Sequence, residues 1–220
     1  MLNSTFDILS YELSKSLYQS VLMISISLIL SIIIGIILGV LLFLTKKGSF
    51  YQNKYIYSFL SSLVNFIRSV PFIILIIFCL PLTYFILNTK IGPIAACVPL
   101  TICAGAFLAR LIESAFIEVD KGVIEAAIAQ GASVKLIIKD VLLVEALPSI
   151  VRAITLTTIS LISFSAMAGL VGGGGIGDLA IRYGYYRYET GVMLFTILLM
   201  VLWVQLAQFI GDFIARKLTH

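Results

Sequence analysis

Five stretches of this 220-residue chain run for 19 residues or more without a single Asp, Glu, Lys or Arg: Ser16–Thr45, Ser69–Thr89, Ile91–Ala109, Ala153–Gly177 and Thr190–Gly211. Each is rich in Ile, Leu, Val and Phe, and each is long enough to cross about 30 Å of hydrocarbon at roughly 1.5 Å per helical residue. Their lengths suit helices better than the alternating strands of about ten residues that build an outer-membrane barrel. Composition agrees, because 60% hydrophobic against 12% charged residues leaves too few charges to coat a water-facing surface. The expected fold is all-α, a polytopic membrane protein with five transmembrane helices, residues 1–220 forming one transmembrane domain.

The first run is expected to be retained and not removed as a secretory signal. Asp7 and Glu12 precede it with only Lys15 for balance, its apolar stretch is too long, and no small-residue cleavage site follows. Orientation follows from Lys and Arg. With five spans, one face collects Lys46, Lys47, Lys54, Arg68, Arg110, Lys121, Lys135, Lys139, Arg152, Arg216 and Lys217, 11 of the 15 basic residues. The positive-inside rule then places the N-terminus outside and the C-terminus in the cytoplasm. The net charge of +4 therefore reports topology. No contiguous basic stripe interleaved with aromatics points to nucleic acid.

One connection is much longer than the others. Arg110 to Arg152 spans 43 residues on the cytoplasmic side, with five basic and six acidic residues. Val123, Ile124, Ala127 and Ile128 recur at helical spacing, and a second patterned stretch runs from Val134 to Leu143. Between them lies Gly131-Ala132-Ser133, where Gly131 can end the first helix in a left-handed conformation and Ser133 can cap the second. The expectation is a helix-turn-helix coupling loop at about 111–147, lying at the membrane surface. Its six acidic residues disfavour attachment to an anionic leaflet and favour docking in a groove of a partner protein.

Catalysis finds no footing. The one histidine is His220, and there is no H-E-x-x-H, paired intramembrane carboxylate or G-x-S-x-G. The three cysteines, Cys79, Cys97 and Cys103, lie inside expected spans without C-x-x-C spacing and read as apolar filler, with neither a zinc site nor a disulfide framework. Gly172, Gly174 and Gly177 satisfy G-x-G-x-x-G. They sit at the outer end of a span rather than after a strand, so they read as a sharp turn or close backbone approach. No phosphate loop is present, so uphill transport would need its energy from a separate subunit. Arg68 reads as a snorkelling anchor at the end of the second span, with Pro71 and Pro81 as kinks. Gly35 and Gly39, four residues apart, form a small-residue packing pair of a common kind.

The loop residues carry a resemblance. Glu125-Ala126-Ala127, three further residues, Gly131, and then Val141 and Leu143 resemble the Glu-Ala-Ala coupling signature of bacterial ATP-binding-cassette importer permeases. Val144 stands where that family ends the motif with Pro, although Pro148 follows. Nearly the whole chain is similar to the methionine-importer branch of that family, through Arg68–Leu75, Pro99–Thr101 leading to Phe107–Arg110, Ser165–Gly169 with its glycine run, Tyr183–Tyr185 and Gln208–Asp212. Ala106 departs from the Pro often found before Phe107.

The resemblance implies a non-catalytic permease of the cytoplasmic (inner) membrane that pairs with a second copy of itself. It implies two cytoplasmic ATPase subunits, which would hold the ATP and Mg, and an extracytoplasmic substrate-binding protein, often a lipoprotein. It implies coupling through Glu125, Ala126, Ala127 and Gly131, and methionine, its D form or close derivatives as substrate. Ser165, Met167 and Gly169 in the fourth span are the expected translocation path. The competing expectations are an ATP-independent channel or facilitator, and an importer of another small amino acid or peptide. No metal and no cofactor is expected in the chain itself.

Overall fold

In the computed structural model, residues 2–218 are described; His220 lies outside them. The described residues are helical throughout, with short turns and no strand among them. Helix α1 covers Leu2–Thr45, so it begins well before the apolar run and carries Asp7, Glu12 and Lys15 as helical residues. One of its faces is made of small or slender residues at three- and four-residue spacing. Ser16, Ser20, Met23, Ser27, Ser31, Gly35, Gly39 and Leu42 are all buried. That face receives α5, Pro93–Ile117, the most deeply buried helix, and the two backbones come close because nothing bulky stands between them. A Cβ on Gly35 would lie 2.8 Å from Leu108, and one on Gly39 would lie 2.7 Å from Ile112 and 2.8 Å from the Ala109 carbonyl. The glycine pair that reads in sequence as commonplace is thus the contact on which the two central helices cross.

The expected second span, Ser69–Thr89, is not one helix. Helix α2, Lys54–Ser69, starts on an Asn53 cap whose side chain accepts from the Tyr55 and Ile56 amides at 3.0 and 3.1 Å. It stops before Pro71, which holds Val70 in an extended conformation (φ −84, ψ 127). Helix α3, Phe72–Phe78, leaves at 109° to α2. A further break at Cys79 precedes α4, Leu80–Leu87, with Pro81 in its first turn, where a missing N–H costs no intrahelical bond. The two prolines expected to kink the span instead divide it into three pieces.

The chain then passes through α5, continuous through Pro99 to Ile117, and turns at Glu118–Asp120 into α6, Lys121–Ala129. After a tight turn, α7, Val134–Leu136, runs through a π-helical segment, Ile137–Leu142, directly into α8, Leu143–Leu170. The second half of the expected helix-turn-helix is therefore no separate helix. It is the lower end of a rod from Val134 to Leu170, which passes both Val144 and Pro148 without ending. The reason is burial. Ile137, Leu142, Ala146 and Ile150 pack into one cluster with Leu108, Ile112 and Phe116 of α5, so the core holds this stretch in line with the span above it.

At the far end of α8 the glycine run reverses the chain, and α9, Gly175–Leu179, continues through a second π-helical segment, Ala180–Tyr185, bent 46° from α8. Both halves of the expectation for the glycines hold. Gly172, Gly174 and Gly175 have positive φ, and a Cβ on Gly169 would strike the backbone of Asp178, so the returning chain lies directly on α8. Gln19 and Ser20 of α1 reach across to this turn and accept hydrogen bonds from the Gly175 and Ile176 amides, each at 2.9 Å. Helix α10, Thr190–Leu218, closes the fold against α8, where Gly211 sits on Thr155.

By length and composition, three helices can cross a membrane: Thr5–Thr45, Pro93–Ile117 and Thr190–Leu218. The bent pairs Lys54–Ser69 with Phe72–Phe78 and Val134–Leu170 with Gly175–Tyr185 raise the number to as many as five.

Candidate functional site

Helix α6 is held on the outside of the fold at the end where α5 and the α7–α8 rod meet. Asp120 caps its start, its carboxylate accepting from the Gly122 amide at 2.7 Å. Its end is a Schellman turn: the Gly131 amide donates to the Ile128 carbonyl at 2.9 Å, and the Ala132 amide to the Ala127 carbonyl at 3.1 Å. Gly131 takes φ +78 there, a conformation that a side chain opposes, although a Cβ would meet nothing within 4 Å. Ser133 then accepts from the Leu136 amide at 3.4 Å, opening the rod. The turn and the cap expected from Gly131-Ala132-Ser133 are both present.

No residue of α6 is buried. Ile124 and Ala127 rest against the Leu108–Phe116 cluster, whereas Glu125 and Ala126 are exposed together with Val123, Ile128 and Ala129. The Glu125-Ala126-Ala127 and Gly131 set is thereby split by role. Ala127 seats the helix, Gly131 ends it, and Glu125 with Ala126 faces outward from a short knob with apolar neighbours. Such a surface fits helix-in-groove recognition by a partner.

In α8 the three expected path residues divide in a different way. Ser165 and Gly169 are one turn apart on a buried face. Ser165 donates to the Ile162 carbonyl of its own helix at 2.8 Å, and Gly169 backs onto the returning chain at Asp178. Met167 points elsewhere and is 43% exposed. It belongs to a stripe with Leu156, Ser160, Ser163 and Leu170, at spacings of three and four residues, which no other element covers fully. Ser160 and Ser163 escape a reading by residue type, because serine is ordinary in membrane helices. Their helical phase with Met167 is the signal that could have found them.

A second group lies wholly outside the expected sites. Arg110 and Glu113 of α5 form an ion pair at 2.6 Å, and Glu113 is only 2% exposed. The Arg110 guanidinium also donates to Ser61 at 2.9 Å and Asn65 at 2.8 Å, while the Tyr57 hydroxyl donates to Glu113 at 3.2 Å. The network ties α2 to α5 just below the Pro71 break. The charge-free runs give no sign of it, since both charged residues fall beyond the end of the third run. Arg68, in the last turn of α2, is exposed with its guanidinium 6.0 Å from the Phe107 ring, as an anchor would be.

Among the described residues, Cys79, Cys97 and Cys103 are buried free thiols, and no group of three or more His, Cys, Asp or Glu is arranged to hold a metal.

Residues 31–220 match the family described as "binding-protein-dependent transport system inner membrane component". The chain is 46% identical over 203 residues to the probable D-methionine transport system permease protein MetI of Vibrio cholerae, covering 92% of this chain and 90% of that one. It is 45% identical over 175 residues to the methionine import system permease protein MetP of Bacillus subtilis, covering 80% and 79%. Among solved structures, a chain of the MetNI methionine ABC transporter in inward-facing conformations superposes with a TM-score of 0.93 at 42% identity, over 96% of this chain and 98% of that one. A chain of an amino acid ABC transporter crystallised with histidines superposes with a TM-score of 0.77 at 16% identity over 92% of each chain, a likeness of fold alone.

Proposed function

The chain belongs to the binding-protein-dependent transport system inner membrane component family, and from that premise we propose that it is the permease subunit of an ATP-binding-cassette importer of methionine. It is a multi-pass membrane protein, and its role in transport is that of a conduit and not a catalyst. The single observation that carries the reading is α6, an exposed nine-residue helix with Glu125-Ala126 outward, Ala127 seated on the core and Gly131 closing it. A channel working alone has no use for such a knob.

In this reading five spans cross the inner membrane, formed by α1, the broken α2–α4 segment, α5, α8 and α10, with the N-terminus outside and the C-terminus in the cytoplasm. Two copies pair about a two-fold axis. Two cytoplasmic ATPases, which hold the ATP and Mg, receive the two α6 knobs, and an extracytoplasmic binding protein, of the lipoprotein kind in many such systems, delivers methionine. Closure of the ATPase pair draws the knobs together. Because the helical rod Val134–Leu170 runs unbroken from the turn after α6 into the fourth span, a displacement of the knob is passed along it to the path-lining face of α8. Met167, Ser160 and Ser163 line the path, and Ser165 and Gly169 fix it from behind. The serine hydroxyls bond back to their own helix, Ser160 to Leu156 at 2.9 Å and Ser163 to Ile159 at 3.4 Å, so the lining is mildly polar without an unmet donor.

The test is co-purification of the tagged chain with its ATPase, followed by uptake of labelled methionine into vesicles with and without ATP and the binding protein. ATP-dependent uptake supports the reading. A stable complex that moves another small amino acid or peptide keeps the importer and changes the substrate, and absence of any complex returns the chain to the channel alternative.

A further inference from the structure

At the loop end of the fold lies a cleft of about 570 Å³, one wall of which is α6 itself and the rest of which the transport reading does not use. Its floor is apolar, from Phe43, Phe50, Phe116, Ile117, Ile124 and Ile128, and its rim carries Lys46, Lys47 and Lys121 against the single acid Glu125. None of these lysines has an ion-pair partner among the described residues. Ser49 also lines the cleft, and its hydroxyl oxygen is buried with no hydrogen-bond partner. Lys46 follows directly on Thr45, the last residue of α1, and Ile117 ends α5, so the cleft opens where two apolar helices stop.

An apolar floor below three cations and one acid fits an amphiphile with an anionic head, and its place at the end of two apolar helices selects a bilayer component. We propose that this cleft binds an anionic phospholipid of the cytoplasmic leaflet, one acyl chain lying along Phe43, Phe116 and Ile124 while the phosphate takes Lys46, Lys47, Lys121 and the Ser49 hydroxyl. The loop itself, with more acidic than basic residues, gives no sign of this, because two of the three lysines come from the turn after α1. The lipid would join that turn to α6 and brace the knob against the membrane.

The experiment is native mass spectrometry of the full-length chain with its co-purified ATPase after delipidation, titrated with phosphatidylglycerol, phosphatidylcholine or inorganic phosphate. The wild type is expected to retain phosphatidylglycerol in preference to phosphatidylcholine. Retention should fall roughly a hundredfold in the combined variant K46Q, K47Q and K121Q, since each lysine near an anionic surface contributes a factor of roughly five. Should that variant fail to assemble, Ser49→Ala and Lys47→Gln singly should each lower phosphatidylglycerol retention severalfold while phosphatidylcholine binding stays unchanged. Equal retention by wild type and variants, equal retention of the two lipids, displacement by equimolar inorganic phosphate, or expulsion of the lipid when the ATPase binds would each overturn the proposal.

Discussion

Arg110 and Glu113 face each other across one turn of α5 at 2.6 Å, and around that pair Tyr57, Ser61 and Asn65 of α2 complete a hydrogen-bonded polar cluster. The pair binds a helix that ends in a 109° break at Pro71 to the most buried helix of the fold.

Removing one member should leave the other charge desolvated. Glu113→Ala is expected to cost about 3 kcal/mol, the lower end of the range for breaking a buried pair because Arg110 keeps some contact with solvent. Tyr57→Phe should cost about 1 kcal/mol for one hydrogen bond. A double-mutant cycle on thermal unfolding of the detergent-solubilised protein checks it; purely additive effects of Arg110→Ala and Glu113→Ala would show that the pair is not coupled.

The α1–α5 crossing makes a steric prediction. Gly39→Ala places a methyl 2.7 Å from Ile112 and 2.8 Å from the Ala109 carbonyl, and the second of these is backbone that cannot turn aside. A loss of about 1–3 kcal/mol follows. The readout is the thermal transition in detergent, and an unchanged midpoint would mean that the helices cross elsewhere.

Gly211 and Thr155 make a reciprocal pair between α10 and α8. A methyl on Gly211 would overlap the Thr155 side chain. Gly211→Ala alone should destabilise, and adding Thr155→Ala should recover most of the loss by making room. Failure of the second change to rescue would refute the contact.

At Gly131 the cost is conformational alone, since φ is +78 and no atom lies within 4 Å of a Cβ. Gly131→Asn should therefore be tolerated better than Gly131→Val, because Asn visits the left-handed region more readily. Measured as ATP hydrolysis by the assembled complex, stimulation should decline in the order Gly, Asn, Val. Glu125→Lys should abolish it while leaving membrane insertion intact, and normal stimulation in both Glu125→Lys and Gly131→Val would remove α6 from the coupling role.

The two faces of α8 should answer differently to bulk. Met167→Trp, on the exposed stripe, should block uptake in an assembled complex of normal stability, whereas Ser165→Leu, on the buried face, should lower stability first. Uptake at the wild-type rate in a well-assembled Met167→Trp complex would take Met167 out of the path.

Local features carried most of what could be read without coordinates. Gly131 and Ser133 act through amides within a few residues of themselves, so the turn and the second cap follow from sequence neighbours. The Glu125-Ala126-Ala127 spacing was legible for the same reason, whereas Pro71 read only as a kink and the full 109° break there was not legible.

What remained hidden depends on partners distant in the chain. Sequence alone determined that the chain is helical and membrane-spanning, because hydrocarbon admits only long apolar helices here and charge-free runs record that demand residue by residue. Only the tertiary structure decided that Val134–Leu143 is the base of the rod that continues as α8, that Gly35 and Gly39 form the central crossing, and that Arg110 and Glu113 clamp α2. Each of these rests on which helix face meets which, and α1 meets α5 across some seventy residues of chain that local periodicity does not connect.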